Sequence, residues 1–350
     1  DGARPLSYSA IRRALRLAAP DDAGGQRVML VVDLARAEII AASGLRPAFR
    51  QIHSPGSLLK LFTTWYLLEA GRLAPDFRWR CQGTFILEQN DYPQDALDEQ
   101  LHIGGGRYLY QAGCSLKNGH GKIGISQAIG FSCNHFFRAV SGRIVHRDLK
   151  EFGETLGLFS AEPLTMADAR AVAGRMVGCS TLSERLDIAL GHGTLVTVAG
   201  IASGFTAWYS GGAVRPLGLA LTNRGWLSPG MDWRLFPKKT NQRQVTQSMR
   251  TRAILDRGMR IAAEYGTARL LCGPGFPRLS VKTGSGVRPG HDRVTDGWVV
   301  AAWPDVRPRL LTIAWALDCG STSVPLTMTG DFFKTLLVDR EKIRHDSRAR

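Results

Sequence analysis

This sequence lacks several features that define large classes of proteins, and each absence narrows the alternatives. No Pro-, Gly- or Ser-rich linker divides its 350 residues, so one large hydrophobic core is expected. The longest apolar runs, such as 28–34 and 61–68, are far shorter than the roughly 18 residues that a membrane-spanning helix needs. No module that combines basic and aromatic residues appears, so we expect no nucleic-acid partner. The sequence predicts a soluble body.

Recognisable metal-binding patterns are also missing. The eight histidines form no His-Glu-x-x-His motif, and no Cys-x-x-Cys pair occurs among the six cysteines, at positions 81, 114, 133, 179, 272 and 319. Scattered cysteines in a chain of this size are usually buried small hydrophobic side chains. We therefore expect no metal ion and no cofactor. Cys81 and Cys114 flank a polar, glycine-containing segment and are a candidate disulfide if the compartment is oxidising.

Positive charge exceeds negative charge, with 45 Lys and Arg against 30 Asp and Glu and a net charge of +15. The densest basic parts are Arg234–Arg252 and Arg344–Arg350. Such a surplus favours an anionic neighbourhood, for example phospholipid or an acidic polymer. The first residue is Asp1 rather than methionine, so we expect that an upstream part has been removed, and a membrane tether in that part is compatible with the sequence.

Strand patterns are concentrated at the two ends of the chain. Two short apolar runs, Val28–Asp33 and Glu38–Ala42, are separated by a turn and predict a hairpin. Three more strands are predicted at 279–282, 297–303 and 310–317. Strands at both ends can bury their faces only by meeting in one sheet. The sequence therefore predicts an α/β fold whose antiparallel sheet is formed from N- and C-terminal strands.

Helical patterns flank these strands and dominate the middle of the chain. Amphipathic or apolar periodicity predicts helices at 9–19, 250–265 and 332–338, the last followed by a charged tail that should be frayed. From Ile123 to about Gly204 the pattern is mainly helical. We expect helices to flank the sheet and an all-helical subdomain to be inserted in it.

The stretch Ser54-Pro55-Gly56-Ser57-Leu58-Leu59-Lys60 carries the strongest chemical signal. Pro55 and Gly56 predict a tight turn, followed by a buried, mostly apolar helix that starts near Ser57. A serine and a lysine three residues apart then lie on one face of the first turn. Burial disfavours the charged form of Lys60, which can then take a proton from Ser57. The free N–H groups at the helix start favour an oxyanion.

Two further motifs strengthen this interpretation. Ser132-Cys133-Asn134 lies between two predicted helical segments, and such a corner can direct a hydroxyl and a carboxamide into one cleft. Lys282-Thr283-Gly284-Ser285-Gly286 comes at the end of a predicted strand, where Gly284 removes a side chain that would block a ligand lying along the strand edge. Each motif alone is a weak signal, but the three together in this order are not.

Together the motifs resemble the Ser-x-x-Lys, Ser-x-Asn and Lys-Thr-Gly signature of the penicillin-recognising serine acyltransferases. Flanking residues extend the resemblance to the transpeptidase domain of class B-like penicillin-binding proteins, over roughly 8–340: Pro55-Gly56, Gly119-His120-Gly121, Phe136-Phe137, Gly191-His192-Gly193, Gly266-Thr267-Ala268 and Gly297-Trp298. Two positions depart from the family pattern, since Ala37 replaces a usual glycine and His192 a usual glutamine.

The resemblance also implies a domain organisation. A single transpeptidase-like domain should span 1–340, with the helical subdomain, about 70–250, inserted in the sheet subdomain. Residues 341–350 should form a charged tail.

Carried over residue by residue, the resemblance implies a catalytic role for five side chains. Ser57 would be the acylated nucleophile, and Lys60 would take its proton. Ser132 would relay a proton to the leaving group, and Asn134 would hold the substrate amide. Lys282 would orient the Ser132 hydroxyl and supply positive charge.

The same resemblance implies the substrate-binding residues. Thr283 and Ser285, on either side of Gly284, would bind the terminal carboxylate of the donor. The backbone N–H groups of Ser57 and Ser285 would form the oxyanion hole. Cys133, which lies between two motif residues, is expected to be structural, and so are His120 and His192.

The function implied is that of a serine D,D-transpeptidase that acts on peptidoglycan stem peptides ending in D-alanyl-D-alanine and binds penicillin covalently. It would work in the periplasm or at the extracytoplasmic face of the bacterial cytoplasmic membrane. Expected partners are the stem peptide, β-lactam antibiotics and proteins of cell-wall growth, division or elongation.

Other functions stay open: a D,D-carboxypeptidase, a β-lactamase-like hydrolase, or a non-catalytic sensor or scaffold for peptidoglycan or β-lactams. The sequence contains no Glu-x-x-Leu-Asn segment of the class A β-lactamase type in the helical region. A class D enzyme would have valine in place of Asn134. Both observations favour the transpeptidase.

Overall fold

The computed structural model of the chain describes residues 7–20, 26–83, 85–88, 107–110, 114–160, 172–176, 182–220, 243–288 and 294–348. Several features noted above lie outside these ranges: Asp1, Cys179, residues 234–242 of the basic segment and the last two residues of the basic tail.

The described residues form the following elements. The strands, in chain order, are β1 (Arg27–Asp33), β2 (Glu38–Ser43), β3 (Arg78–Cys81), β4 (Phe85–Glu88), β5 (Arg107–Tyr110), β6 (Gly121–Gly124), β7 (Arg175–Met176), β8 (Thr194–Leu195), β9 (Ala213–Val214), β10 (Gly218–Leu219), β11 (Arg243–Gln244), β12 (Ser280–Gly286), β13 (Asp296–Trp303) and β14 (Leu310–Leu317). The helices are α1 (Tyr8–Ala18), α2 (Leu45–Arg50), α3 (Leu59–Glu69), α4 (Ile125–Gly130), α5 (Asn134–Ala139), α6 (His146–Leu156), α7 (Leu182–Leu190), α8 (Val198–Tyr209), α9 (Met249–Glu264) and α10 (Ser323–Arg348).

A six-stranded sheet organises the fold, with strand order β10-β2-β1-β14-β13-β12. All neighbours are antiparallel except β10 and β2, which run parallel. The pairing of β1 with β14 places Leu30 opposite Ile313, so strands from the two ends of the chain meet in one sheet as predicted. The strand β12 forms one edge of the sheet.

Helices cover both faces of this sheet. Alternate residues of β1 point to opposite faces: Met29 and Val31 pack in a core with α1 and α10, whereas Val28, Leu30 and Val32 pack in a larger core with α2, α3 and α8. The predicted mixed α/β architecture is therefore confirmed.

The helix α3 lies at the centre of the larger core, and its residues 59–68 are all buried. A helix that is apolar on every side is stable only inside a protein. Two of its polar side chains have partners, since Thr64 Oγ1 donates to Lys60 O at 2.6 Å and Trp65 Nε1 donates to Thr246 O at 2.8 Å. Packing on all sides fixes the position of the helix start, where Ser57 and Lys60 lie.

The region between the two sets of sheet strands, where an all-helical subdomain was predicted, is mainly helical and contains α2 to α9. Small strand pairs that the sequence pattern did not indicate accompany these helices: β3 with β6, β4 with β5, β7 with β8, and β9 with β11. Each is only two to four residues long, too short for a periodicity to be visible. The subdomain boundaries near 70 and 250 stay a prediction.

Two elements extend beyond their predicted limits. The strand β12 continues through Gly286, because its pairing with β13 overrides the low strand propensity of Gly284 and Gly286. The last helix, α10, begins at Ser323 rather than near 332. Pro325 had hidden its start, but proline is tolerated in the first turn of a helix. The helical backbone also runs to Arg348, through most of the tail expected to be frayed.

Candidate active site

Ser57 lies in a single 3-10 turn, Gly56–Leu58, that leads directly into α3. Gly56 has φ +48°, a conformation that glycine adopts at little cost. A Cβ atom there would also overlap Ser285 O. Ser57 is partly exposed, whereas Lys60 is fully buried. The helix start predicted near Ser57 is confirmed, and the serine is the part of this turn that a substrate can reach.

Glycines allow the serine-bearing turn to approach the edge strand β12. A Cβ atom on Gly284 would lie 2.5 Å from Pro55 O, and one on Gly286 would overlap Ser54 O. Trp298, on the neighbouring strand β13, donates its indole N–H to Ser54 O at 2.8 Å. The space beside Gly284 is therefore filled by the turn that carries Ser57, whereas the sequence had suggested that it was kept clear for a ligand.

The Lys60 side chain contacts the second motif. Its Nζ donates to Asn134 Oδ1 at 2.7 Å and to Ser132 O at 3.0 Å, and it lies 3.5 Å from Ser132 Oγ. Nζ also lies 5.1 Å from the centre of the Phe137 ring. Among the described residues no hydrogen bond joins Lys60 to Ser57.

The protonation of the two motif lysines is coupled to their burial. Burial lowers the pKa of Lys60 to about 7, although the nearby thiols of Cys133 and Cys114 act in the opposite direction. Burial, together with the charge of Lys60, holds the pKa of Lys282 well below its ordinary value. A neutral amine is therefore available in the site near neutral pH.

Ser132 occupies the corner between α4 and α5 in a strained backbone conformation. Its φ is +52°, in the left-handed region that costs a non-glycine residue about 1–2 kcal/mol. Two backbone hydrogen bonds hold the corner. Ser132 N donates to Ile129 O at 3.1 Å, and Cys133 N donates to Ala128 O at 2.9 Å. Cys133 caps α5, since its Sγ accepts from Phe136 N at 3.4 Å. This strained conformation determines the direction in which the Ser132 side chain leaves the corner.

Lys282 reaches this hydroxyl from the sheet. Its Nζ donates to Ser132 Oγ at 3.2 Å and to Thr283 O at 2.7 Å. The next residue, Thr283, donates through Oγ1 to Thr267 Oγ1 at 2.7 Å. Thr267 follows α9 and entered the sequence analysis only as part of a flanking match. Its hydroxyl orients Thr283, and Ser285 is partly exposed beside them.

A buried ionic network behind the turn that carries Ser57 was not predicted from the sequence. Arg288 donates to both oxygens of Asp296, at 3.1 and 3.2 Å, and lies 2.8 Å from His53 Nδ1. Trp315 Nε1 and Thr295 Oγ1 also donate to Asp296, each at 2.9 Å. Burial raises the pKa of the Asp296 carboxyl, but its contacts with His53 and Arg288 outweigh burial and hold that pKa below its ordinary value.

Two departures from the family pattern have structural counterparts. Ala37, which replaces a usual glycine, has φ +56° and so adopts the backbone conformation that favours glycine. Burial lowers the pKa of His192, against the charge of Asp187, and the charge of Lys60 adds to this effect. A neutral imidazole therefore stands near Lys60 where glutamine is usual.

The predicted catalytic residues thus converge from the 3-10 turn, α3, the corner between α4 and α5, α5 and β12. Lys60, Ser132, Asn134 and Lys282 form one hydrogen-bonded group, and Ser57 lies one turn from Lys60. This is a buried polar group with two lysines, beside an accessible serine. Such an arrangement can activate a hydroxyl for attack on a carbonyl.

A family model described as the penicillin-binding protein transpeptidase domain matches residues 28–318. The chain belongs to this family. A penicillin-binding protein transpeptidase domain carries out peptidoglycan synthesis and binds penicillin, which fits the serine and the two lysines of this site. No curated protein matches the chain.

Solved structures share the transpeptidase fold. A peptidoglycan glycosyltransferase from Burkholderia ambifaria is similar over 96% of this chain and 96% of its own, at 17% identity and a TM-score of 0.69. The TP domain of Burkholderia pseudomallei penicillin-binding protein 3 is similar over 96% of this chain and 94% of its own, at 16% identity and a TM-score of 0.68. Pseudomonas aeruginosa PBP2 in complex with WCK 5153 is similar over 95% of this chain and 75% of its own, at 17% identity and a TM-score of 0.70.

Within the described ranges, no helix combines the length and apolar character needed to cross a bilayer.

Proposed function

We propose that the protein is a serine D,D-transpeptidase that acts on peptidoglycan stem peptides ending in D-alanyl-D-alanine. The single observation that supports this most is that Lys60 and Lys282 both contact the Ser132 hydroxyl while Ser57 stays accessible. A binding module has no need for two fully buried lysines in one cleft, because their desolvation is costly.

In the proposed first step, the Ser57 Oγ attacks the carbonyl carbon of the penultimate D-alanine. Neutral Lys60 accepts the Ser57 proton, and the backbone N–H groups of Ser57 and Ser285 stabilise the oxyanion. The C–N bond then breaks as the Ser132 hydroxyl gives its proton to the leaving amine and takes up the proton that Lys60 accepted. D-alanine departs, and the stem peptide stays on Ser57 as an ester.

The remaining residues position the donor. The Asn134 side chain, which accepts a hydrogen bond from Lys60, would form a hydrogen bond with the substrate amide. Lys282, Thr283 and Ser285 would bind the terminal carboxylate. The negative charge of that carboxylate favours the protonated form of Lys282, which offsets the effect of burial on its pKa.

In the second step, an amine of an acceptor stem peptide attacks the ester and regenerates Ser57. Attack by water instead would make the protein a D,D-carboxypeptidase. The reaction would take place at the outer face of the bacterial cytoplasmic membrane or in the periplasm, since transpeptidase domains of this family act on peptidoglycan outside the cytoplasm. Proteins of cell-wall growth or division would be its partners.

Covalent labelling tests the acyl-enzyme. Intact-mass measurement after exposure to benzylpenicillin should show one added penicilloyl group on the parent and none on Ser57→Ala. If the folded parent shows no adduct with several β-lactam classes, the enzymatic proposal fails and the scaffold alternative is favoured. Rapid loss of the adduct would favour a β-lactamase-like hydrolase.

A donor assay separates the two fates of the acyl-enzyme. A pentapeptide donor is incubated with and without a D-amino acid as acceptor amine, and products are identified by mass. We expect the aminolysis product to exceed the hydrolysis product. Hydrolysis alone would identify a carboxypeptidase.

A further inference from the structure

Four metal-binding side chains converge beside the second motif. Cys81, Cys114, His120 and Cys133 each offer one donor atom, and these atoms all lie within 4.8 Å of one another. We propose that this cluster binds a zinc ion in a Cys3His site, which fixes the corner that carries Ser132. This proposal differs from the expectation that the chain binds no metal.

The distances fit a tetrahedral metal site. Zn–S bonds of about 2.3 Å at tetrahedral angles place two sulfur ligands about 3.8 Å apart, and a sulfur and a nitrogen about 3.6 Å apart. Cys114 Sγ lies 3.7 Å from Cys133 Sγ, and 3.2 Å from His120 Nδ1. Three thiolates and one imidazole are a ligand set typical of structural zinc.

The same distances differ from the expected disulfide. Cys81 and Cys114 are both free thiols in this structure. A disulfide bond is only about 2.05 Å long and joins two sulfurs. Here a third thiol, Cys133, lies 3.7 Å from Cys114 Sγ, and the imidazole completes the group. One Cys81–Cys114 bond would leave Cys133 and His120 without a common partner.

The backbone around the cluster is built for close approach. Gly83 and Gly119 have φ +88° and +74°, and a Cβ atom on either would overlap a backbone carbonyl, that of Lys117 or of Cys81. Cys114 N donates to Gly83 O at 2.7 Å. The end of β3 and the loop 114–120 are thus pressed together, which brings Cys81 next to Cys114.

The remaining ligands are oriented by their neighbours. The His120 ring stacks on Phe131, with 5.0 Å between ring centres and 5° between planes. Cys133 is buried at the start of α5, and its position there is fixed by the helix. Cys114 and His120 are partly exposed, so an ion can enter from the side of the loop.

The position of Cys133 gives the ion a function. This residue separates Ser132, whose backbone is strained, from Asn134, which accepts from Lys60. A metal–thiolate bond at Cys133 would tie the corner to β3 and to the loop 114–120. Zinc would therefore act as a positioning element for the second motif and would not contact the substrate.

Metal content is the direct test, and it does not depend on the proposed acyl transfer. Protein purified without added metal or chelator is analysed for zinc by mass spectrometry. We expect about one zinc ion per chain in the parent and in the control Cys272→Ser, whose cysteine is exposed and outside the cluster. The Cys114→Ser variant should lose most of its zinc.

A second measurement covers the case in which Cys114→Ser fails to fold. Cobalt(II) replaces zinc in the chelator-stripped parent, and tetrahedral thiolate ligation should produce visible d–d bands with sulfur-to-cobalt charge transfer. Zinc near zero in the parent, together with a disulfide between any two of Cys81, Cys114 and Cys133 in a non-reduced peptide map, would overturn the site. Zinc-free thiols that also bind no cobalt would do the same.

The positioning role rests on the proposed function and needs its own measurement. Removal of zinc from the folded parent should slow acylation of Ser57 by benzylpenicillin about tenfold, and zinc but not magnesium should restore the rate. Stripped protein that stays folded and acylates at the parent rate would refute the role while leaving the metal site established. Absence of acylation in zinc-loaded protein would instead count against the proposed function.

Discussion

Lys282 Nζ lies 3.2 Å from Ser132 Oγ, although 150 residues separate the two in the chain. Lys60 Nζ lies 3.5 Å from the same oxygen. A hydroxyl oxygen has two lone pairs and one proton to donate. Lys282 occupies one lone pair of this oxygen, so the other lone pair can take a proton from Lys60 while the hydroxyl proton stays available for donation. This geometry suits the proton relay proposed for Ser132.

The general-base role of Lys60 is tested by removing its neutral amine. Lys60→Arg keeps a permanent charge, and Lys60→Met keeps a similar volume without any base, so acylation should fall about 10²–10⁴-fold in both. The acylation rate constant with benzylpenicillin is measured for each, with the melting temperature as a control for folding. If Lys60→Arg acylates about as fast as the parent, the proton goes to another group.

Lys282 should respond differently, because its proposed role requires a charge at a fixed place. Lys282→Arg should keep part of the acylation rate, whereas Lys282→Ala should lose most of it. Equal rates in these two variants would contradict an electrostatic role for Lys282.

Acylation should depend on pH through Lys60. Its pKa is lowered by burial to about 7, and the neutral form is the one that accepts a proton. The rate constant should therefore rise about tenfold per pH unit below that pKa and level off above it. A chromogenic β-lactam assayed between about pH 5.5 and 9 measures this profile. A flat profile in the parent, or the same inflection in Lys60→Met, would refute the assignment.

Gly284→Ala should displace the turn that carries Ser57. The added Cβ would lie 2.5 Å from Pro55 O and 2.9 Å from Leu58 Cγ, and neither the backbone oxygen nor the packed side chain can yield easily. We expect acylation to fall at least about tenfold and stability to fall by about 1–3 kcal/mol. Gly330→Ala is the matched control, since its nearest neighbour would be at 3.4 Å and alanine favours its helix. Unchanged acylation in Gly284→Ala would show that the contact is not needed.

Asp296→Asn should destabilise the protein, because Arg288 and Trp315 lose a buried carboxylate partner. Breaking a buried ion pair costs about 3–5 kcal/mol, and the partial exposure of Arg288 favours the lower end. Urea unfolding at constant slope measures the change. Asp148→Asn, whose pair with Arg72 is partly exposed, should change stability by less than about 1 kcal/mol.

The pH dependence of stability gives a second test of Asp296. Its pKa is below the ordinary value in the folded protein, so its contribution is present above the unfolded pKa of about 3.9 and is lost as pH falls through the folded pKa. The parent should therefore lose more stability on acidification than Asp296→Asn. Parallel curves for the two proteins would contradict this.

The sequence by itself determined the local structure around the three motifs. The turn before Ser57, the buried helix after it and the strand 310–317 were predicted from breakers and apolar periodicity, since these signals act between residues close in the chain. The order of the motifs also indicated the family, which the match over 28–318 then established.

Only the tertiary structure decided which distant residues touch. Asp296, Arg288 and His53 carry no pattern that marks them as partners, yet they form one buried network behind Ser57. The cysteines at 81, 114 and 133 and His120 likewise lack a recognisable ligand spacing, because they come from three different segments. Gly284 was noticed for the wrong reason. Apolar periodicity and helix-breaking residues report on neighbours that are only a few positions apart in the chain. These contacts depend instead on how whole helices and strands pack, which no local pattern records.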